Sequence, residues 1–134
     1  MKRSIIFTVM LALFFGARAF AALGNSESEV EELFGKPVNQ GFPNQKGITT
    51  NVYEKGDYVI LVQFLDHLSL AESYTRTDQT ELTQREIDLF LEGSGNEQPW
   101  TKNPTKQEWE RADHKARAWC TTVRGRPTLL VQAE

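Results

Sequence analysis

The chain has 134 residues, 40% of them hydrophobic and 25% charged, and its 15 basic and 18 acidic side chains give a net charge of −3. That length suits one compact domain, and the acidic balance opposes nonspecific binding to nucleic acid or anionic lipid, which depends on neutralising phosphate. Cys120 is the only cysteine, which excludes an internal disulfide and leaves stability to packing.

Lys2 and Arg3 precede an apolar run from Ile5 to Ala17, and Ala17-Arg18-Ala19 and Ala19-Phe20-Ala21 offer small residues at cleavage spacing. This order reads as a secretory signal peptide over residues 1–21. The run is 13 residues before Arg18 interrupts it, short of the roughly 20 a spanning helix needs. A single exported domain over residues 22–134 follows as the expectation, periplasmic or secreted and bacterial. Without Lys2, Arg3 and Arg18, 12 basic residues stand against 18 acidic ones, a net charge of −6. No second long apolar run is present, so the mature part is expected to have no membrane span. No cysteine follows the first run to accept a lipid, and Pro104 blocks Asn103 as a glycosylation acceptor.

The first predicted helix begins near Ser26 or Ser28, each with a glutamate three residues on as in a capping box. Val30, Leu33 and Phe34 form its apolar face, and Gly35 and Pro37 end it. Residues 38–48, with Gly41, Pro43 and Gly47, read as a loop. Thr49–Tyr53 and Tyr58–Leu65 read as a hairpin around Glu54–Asp57, the second strand apolar on both faces and therefore central. Asp66-His67 marks a turn before a third strand over 70–77. Thr83 with Glu86 predicts a second capping box, Leu82 with Ile87 a hydrophobic staple, and Ile87, Phe90 and Leu91 an apolar face ending at a C′ glycine, Gly93. Residues 93–105 read as a loop. Three strands are then expected over 107–111, 115–123 and 128–132, with turns at Ala112–His114 and Arg124–Pro127; a third helix capped by Thr105 competes for 105–116.

The two halves correspond. Glu29–Phe34 matches Glu86–Leu91 at an offset of 57, and Tyr53-Glu54-Lys55-Gly56-Asp57 matches Trp109-Glu110-Arg111-Ala112-Asp113 at an offset of 56. The fold expected is therefore α+β: an antiparallel sheet of about six strands with two short helices packed on one face, a tandem αβββ pseudo-repeat over about 26–77 and 83–132 in which both halves share one core. On Val30-Glu31-Glu32-Leu33-Phe34-Gly35-Lys36-Pro37 and the Tyr53-to-Phe64 hairpin, the unit resembles the SmpA/OmlA/BamE-like family of small bacterial envelope proteins. Duplicated, it is similar to the tandem architecture of β-lactamase-inhibitory proteins. The resemblance implies a sheet face that serves protein binding. The lipidated cysteine of the first group and the disulfides of the second are missing here, so neither function carries over with the fold.

Strand alternation puts Ala116, Ala118 and Cys120 on one side and Arg117, Trp119 and Thr121 on the other. Small side chains let a helix lie close, so the alanine side is expected to be covered. That leaves Trp119 beside Arg117 as a candidate contact for a partner, unless Trp119 completes a minor cluster with Trp100 or Trp109. Tyr53 on the hairpin, Trp100 and Trp109 are further binding candidates. Asp66-His67 and Asp113-His114 read as turns rather than metal ligands, and neither a cofactor motif nor a nucleophile signature appears. The leading expectation is a noncatalytic exported binding or scaffold protein with an unidentified envelope or secreted protein as partner. A small-ligand carrier with a pocket between helices and sheet stands second, and a hydrolase using Cys120 third, against the plainer reading of Cys120 as a small buried hydrophobe.

Overall fold

Both helices start where their caps predict. The computed structural model describes residues 23–95 and 97–134; the signal peptide expected over 1–21 lies outside the described residues. Helix α1 (Glu27–Phe34) is capped by Ser26, whose Oγ accepts from the Glu29 N–H while its own N–H donates to the Glu29 carboxylate. Gly35, at φ +85°, closes it by donating to the Glu31 carbonyl, a backbone angle that glycine adopts without a Cβ clash. Helix α2 (Gln84–Gly93) carries the same box between Thr83 and Glu86. Its end differs from expectation. Gly93 stays helical, and Ser94 caps at φ −88° by donating to the Phe90 carbonyl. The last turn tightens without a left-handed residue, so Gly93 only costs helix propensity, about 1 kcal/mol.

The sheet has eight strands rather than about six: β1 (Asn39–Gln40), β2 (Thr49–Lys55), β3 (Tyr58–Leu65), β4 (Leu68–Arg76), β5 (Trp100–Lys102), β6 (Glu108–Arg111), β7 (Ala116–Val123) and β8 (Arg126–Ala133). Their order across it is β1-β2-β3-β4-β8-β7-β6-β5, every neighbouring pair antiparallel. The two additional strands are the outermost ones and come from segments whose glycines and prolines read as loop. At two and three residues they are too short to show alternation. Gly41 is required beside β1, because a Cβ there would stand 2.3 Å from the Thr50 carbonyl oxygen. Residues 105–116 hold strand β6 and a turn, and the competing helix is not formed.

Two hairpins are tighter than expected. Asp66 and His67 both take positive φ (51° and 67°), as do Arg124 and Gly125 (50° and 77°). Two-residue turns of this hand match the twist of the flanking strands, so β4 starts at Leu68 and β8 at Arg126.

Both helices pack on one side of the sheet. The Phe34 ring meets Tyr53 at 5.9 Å, and Phe90 stacks on Tyr74 at 4.1 Å and meets Tyr58 edge-on at 5.1 Å. Register places Tyr53, Ile60, Tyr74, Leu129 and Cys120 in one row across the sheet, and Asn51, Val62, Glu72, Val131, Ala118 and Trp109 in the next. These two rows carry the core, and the buried side chains of both helices join them in one hydrophobic cluster.

Candidate functional site

The opposite side of the sheet is covered by neither helix. One row across it reads Val52, Leu61, Ser73, Leu130, Trp119 and Glu108, and the next Glu54, Val59, Thr75, Thr128 and Thr121. The first row is apolar on four of its first five strands, with Ser73 at the centre. At about 4.8 Å between strands it is roughly 20 Å long. Leu61 is exposed, and Val52, Leu130 and Trp119 are half-buried by their neighbours on the face. Thr75 and Thr128 are joined through their hydroxyls at 3.0 Å and are themselves buried.

Trp119 stands on this face with Leu130 opposite it across the strand pair. Two residues away on the same side, the Arg117 guanidinium lies 5.9 Å from the Trp119 ring centroid and 3.3 Å from the Glu134 carboxylate. Ala116 and Ala118 lie fully buried on the helix side. The other three candidates sit apart from this pair. Tyr53 is fully buried under α1, Trp109 is 6% exposed in the core, and Trp100 donates its Nε1–H to the Leu91 carbonyl at 2.6 Å, fastening the end of α2. Tyr53, Trp109 and Trp100 are thus on the helix side, and no tryptophan cluster forms around Trp119.

Sequence reading missed two polar groups. Glu72 is buried on the helix side and accepts from the Tyr74 hydroxyl; its spacing of two from Tyr74 was the available signal. The second group anchors α2. Arg76 Nη1 lies 2.6 Å from Glu86, its Nε and Nη2 reach both oxygens of Asp78 at 3.1 Å, and Tyr58 donates to Glu86 as well. Burial first, and then the adjacent Glu86, pushes the Tyr58 hydroxyl up to about 12. Bidentate donation from Arg76 holds the Asp78 carboxyl well below the usual range. For Glu86 burial acts upward, but hydrogen bonds from Thr83, Tyr58 and Arg76 outweigh it and the net direction is down.

A folded-state pKa below the unfolded one adds stability at pH values above the ordinary carboxylate range, and that stability is lost as pH falls through the lowered values. Stability is therefore expected to drop steeply below about pH 4, and Arg76→Met is expected to flatten that limb while lowering stability at neutral pH. Thermal melts of both proteins between pH 7 and pH 2 check this, and parallel acid limbs would contradict it.

Cys120 is half-buried against the core cluster, and burial raises its thiol pKa. A protonated thiol is a poor nucleophile. Alkylation of Cys120 by iodoacetamide at pH 7.5 is expected to run about tenfold or more slower in the folded protein than in urea; equal rates would restore a reactive cysteine. His67 sits in the β3–β4 turn, and His114 pairs with Glu110, which raises its pKa. Among the described residues no group of three or more His, Cys, Asp and Glu converges as a metal site, and no helix is long and apolar enough to cross a membrane.

Two open clefts flank the β5–β6 end of the sheet. One, of about 490 Å³, lies between α2 and β5 with Asp88, Glu92, Glu97, Trp100, Lys102 and Trp109 in its wall. The other, of about 790 Å³, lies between β5, β6 and the end of β8, with Glu108, Glu110, Arg111, His114 and Arg117 among its residues.

No protein-family model matches the chain, and no curated protein matches its sequence. Solved structures that match the chain in part include two. One is a cysteine-rich secretory protein from Staphylococcus aureus, at 14% identity and a TM-score of 0.48, covering 84% of this chain and 44% of that one. The other is a DUF4309 family protein from Bacillus subtilis, at 10% identity and a TM-score of 0.44, covering 82% and 79%. This chain spans less than half the length of the staphylococcal protein.

Proposed function

We propose that this chain is an exported, noncatalytic binding protein of the bacterial envelope that holds a protein partner on its uncovered sheet face, with Trp119 and Arg117 at the contact. The row from Val52 to Trp119 carries this reading, because an aromatic beside a base on a half-apolar surface is the composition of an interface anchor. Glu54, Glu108 and Glu110 line the same face, and residues 22–134 have 18 acidic side chains against 12 basic ones. The fitting partner is a secreted or envelope protein with an apolar ridge flanked by Lys or Arg. Export rests on the charged, apolar and small-residue regions of residues 1–21.

The tandem reading belongs to the same proposal. Each helix precedes four strands in the chain, and the sheet order is mirrored about the β4–β8 seam. Setting aside the short outermost strand of each half, that order is the one expected of a duplicated αβββ unit of the BamE-like kind, which uses a sheet face for binding.

Trp119→Ala is expected to keep the melting temperature and to weaken partner capture from an envelope extract by about tenfold or more. Leu89→Ala, on the exposed side of α2, should capture normally. Equal capture by the Trp119→Ala protein, or equal loss in both variants, would overturn the assignment of this face.

A further inference from the structure

Backbone groups at the outer edge of β5 point away from the sheet. Ala112 donates to the Pro99 carbonyl and Asn103 to the Glu108 carbonyl, and Thr101 lies opposite Glu110 between them. In an antiparallel ladder those β5-side residues, Pro99, Thr101 and Asn103, turn their backbone groups to β6, so Trp100 and Lys102 turn theirs outward. β5 is the last strand of the sheet order, and among the described residues no further strand receives them. Such an edge is a template for pairing with another chain. Short as it is, β5 is fixed: Trp100 is tied to the Leu91 carbonyl at 2.6 Å, and Lys102 Nζ reaches the Asn103 and Lys106 carbonyls at 3.3 Å. A fixed edge loses little freedom on pairing.

Open clefts lie on both flanks of this edge, about 490 Å³ on the side of α2 and about 790 Å³ on the uncovered side. A strand sends alternate side chains to opposite faces, so one strand beside β5 delivers a set of side chains to each cleft. We propose that β5 is a docking edge for an extended segment of a partner protein, paired antiparallel and carrying basic side chains toward α2. Main-chain bonds to Trp100 and Lys102 hold such a segment, and the two clefts select its side chains. Charge names the occupant. On the α2 flank Asp88, Glu92 and Glu97 stand against Lys102, whereas the other flank mixes acids with His114 and Arg117 and suits small polar side chains. A second copy of this chain, paired edge to edge, would bring the same acids together and is disfavoured.

The probe is an acetylated, amidated peptide of alternating threonine and lysine, titrated into the isotope-labelled protein and followed by NMR. The Trp100 and Lys102 amides are expected to shift saturably and to exchange their protons more slowly. Antiparallel pairing turns the lysine amides of the peptide to β5. N-methylation of the lysines is therefore expected to weaken binding about tenfold or more, and N-methylation of the threonines to change it by less than about twofold. The two methylated peptides carry the same charge, so attraction to surface acids does not separate them. On the protein side, Lys102→Pro removes one outward N–H, which an edge strand tolerates. It is expected to bind the peptide about tenfold more weakly than Lys102→Ala, which loses the same charge and keeps the N–H. Equal binding by the two methylated peptides, loss from the threonine set alone, or equal binding by the two Lys102 variants would overturn the proposal. So would a dimer of this chain that the peptide dissociates. The peptide comparison uses the parent protein and does not depend on the fold of Lys102→Pro. No arm involves Trp119, so the sheet-face reading stands or falls separately.

Discussion

Phe90→Ala is expected to cost about 3–5 kcal/mol of folding stability, the largest effect of any single truncation on this helix. Phe90 is 1% exposed, and its ring stacks on Tyr74 and takes Tyr58 edge-on. Each aromatic pair adds about 0.5–1.5 kcal/mol beyond the area it buries. Helix α2 has ten residues, too few to persist without tertiary contacts, so Phe90 with Ile87 and Leu91, the Thr83 cap, the Arg76–Glu86 pair and the Trp100–Leu91 bond hold it on the sheet. Urea unfolding followed by fluorescence measures the loss, and Phe90→Leu should recover most of it. A change below about 1.5 kcal/mol in the alanine variant would show that α2 is held by something other than this stack.

Ala118→Phe is expected to be the second most damaging change, at about 1–3 kcal/mol or more, because the covered side of β7 has no room for a ring. Ala118 is 1% exposed between Trp109 and Val131 in register. Its neighbour Arg117 points to the open side, and Arg117→Ala is expected to stay within about 0.5 kcal/mol of the parent. The contrast between adjacent positions tests the face assignment on which the docking proposal depends. Comparable losses at both positions would mean that β7 presents no free side. A ring tolerated at Ala118 would mean that the helices sit less closely than their contacts indicate.

These two expectations draw on different sources of information. The side of β7 that faces the helices was legible in the order Ala116-Arg117-Ala118-Trp119, because strand alternation is a property of the backbone and small residues mark a close approach. Both capping boxes were legible for a similar reason: Ser26 with Glu29 and Thr83 with Glu86 are hydrogen-bonding partners three residues apart whatever the rest of the chain does. Tyr53 and Trp109, in contrast, looked like surface candidates beside Trp119. An aromatic in a hairpin shows which residues share its side, but not which side receives a helix.

The acidic cleft was legible only as parts. Asp88 and Glu92 lie off the apolar face expected of α2, and Trp100 falls in the stretch 93–105 that reads as a loop. Register between β5 and β6 brings Trp100, Lys102 and Trp109 to one end of the sheet, and the bond from Trp100 to the Leu91 carbonyl carries that end to α2. A three-residue strand such as β5 leaves no periodic trace, because alternation needs more residues than the strand has.

The sequence by itself determined the local order of this protein: two capped amphipathic helices, the positions of the turns, and which side chains share a strand face. Each depends on residues within a few positions of one another, where hydrogen-bond geometry and side-chain period act without help from the rest of the chain. Tertiary structure alone decided the seam between β4 and β8, the two short edge strands, the burial of Glu72 against Tyr74, and the cleft where α2 ends on two indoles. The seam joins segments far apart in the chain, and the other features depend on what the assembled sheet brings against them. Their partners are selected by the total burial and hydrogen bonding of the assembled sheet, a quantity that no local window contains.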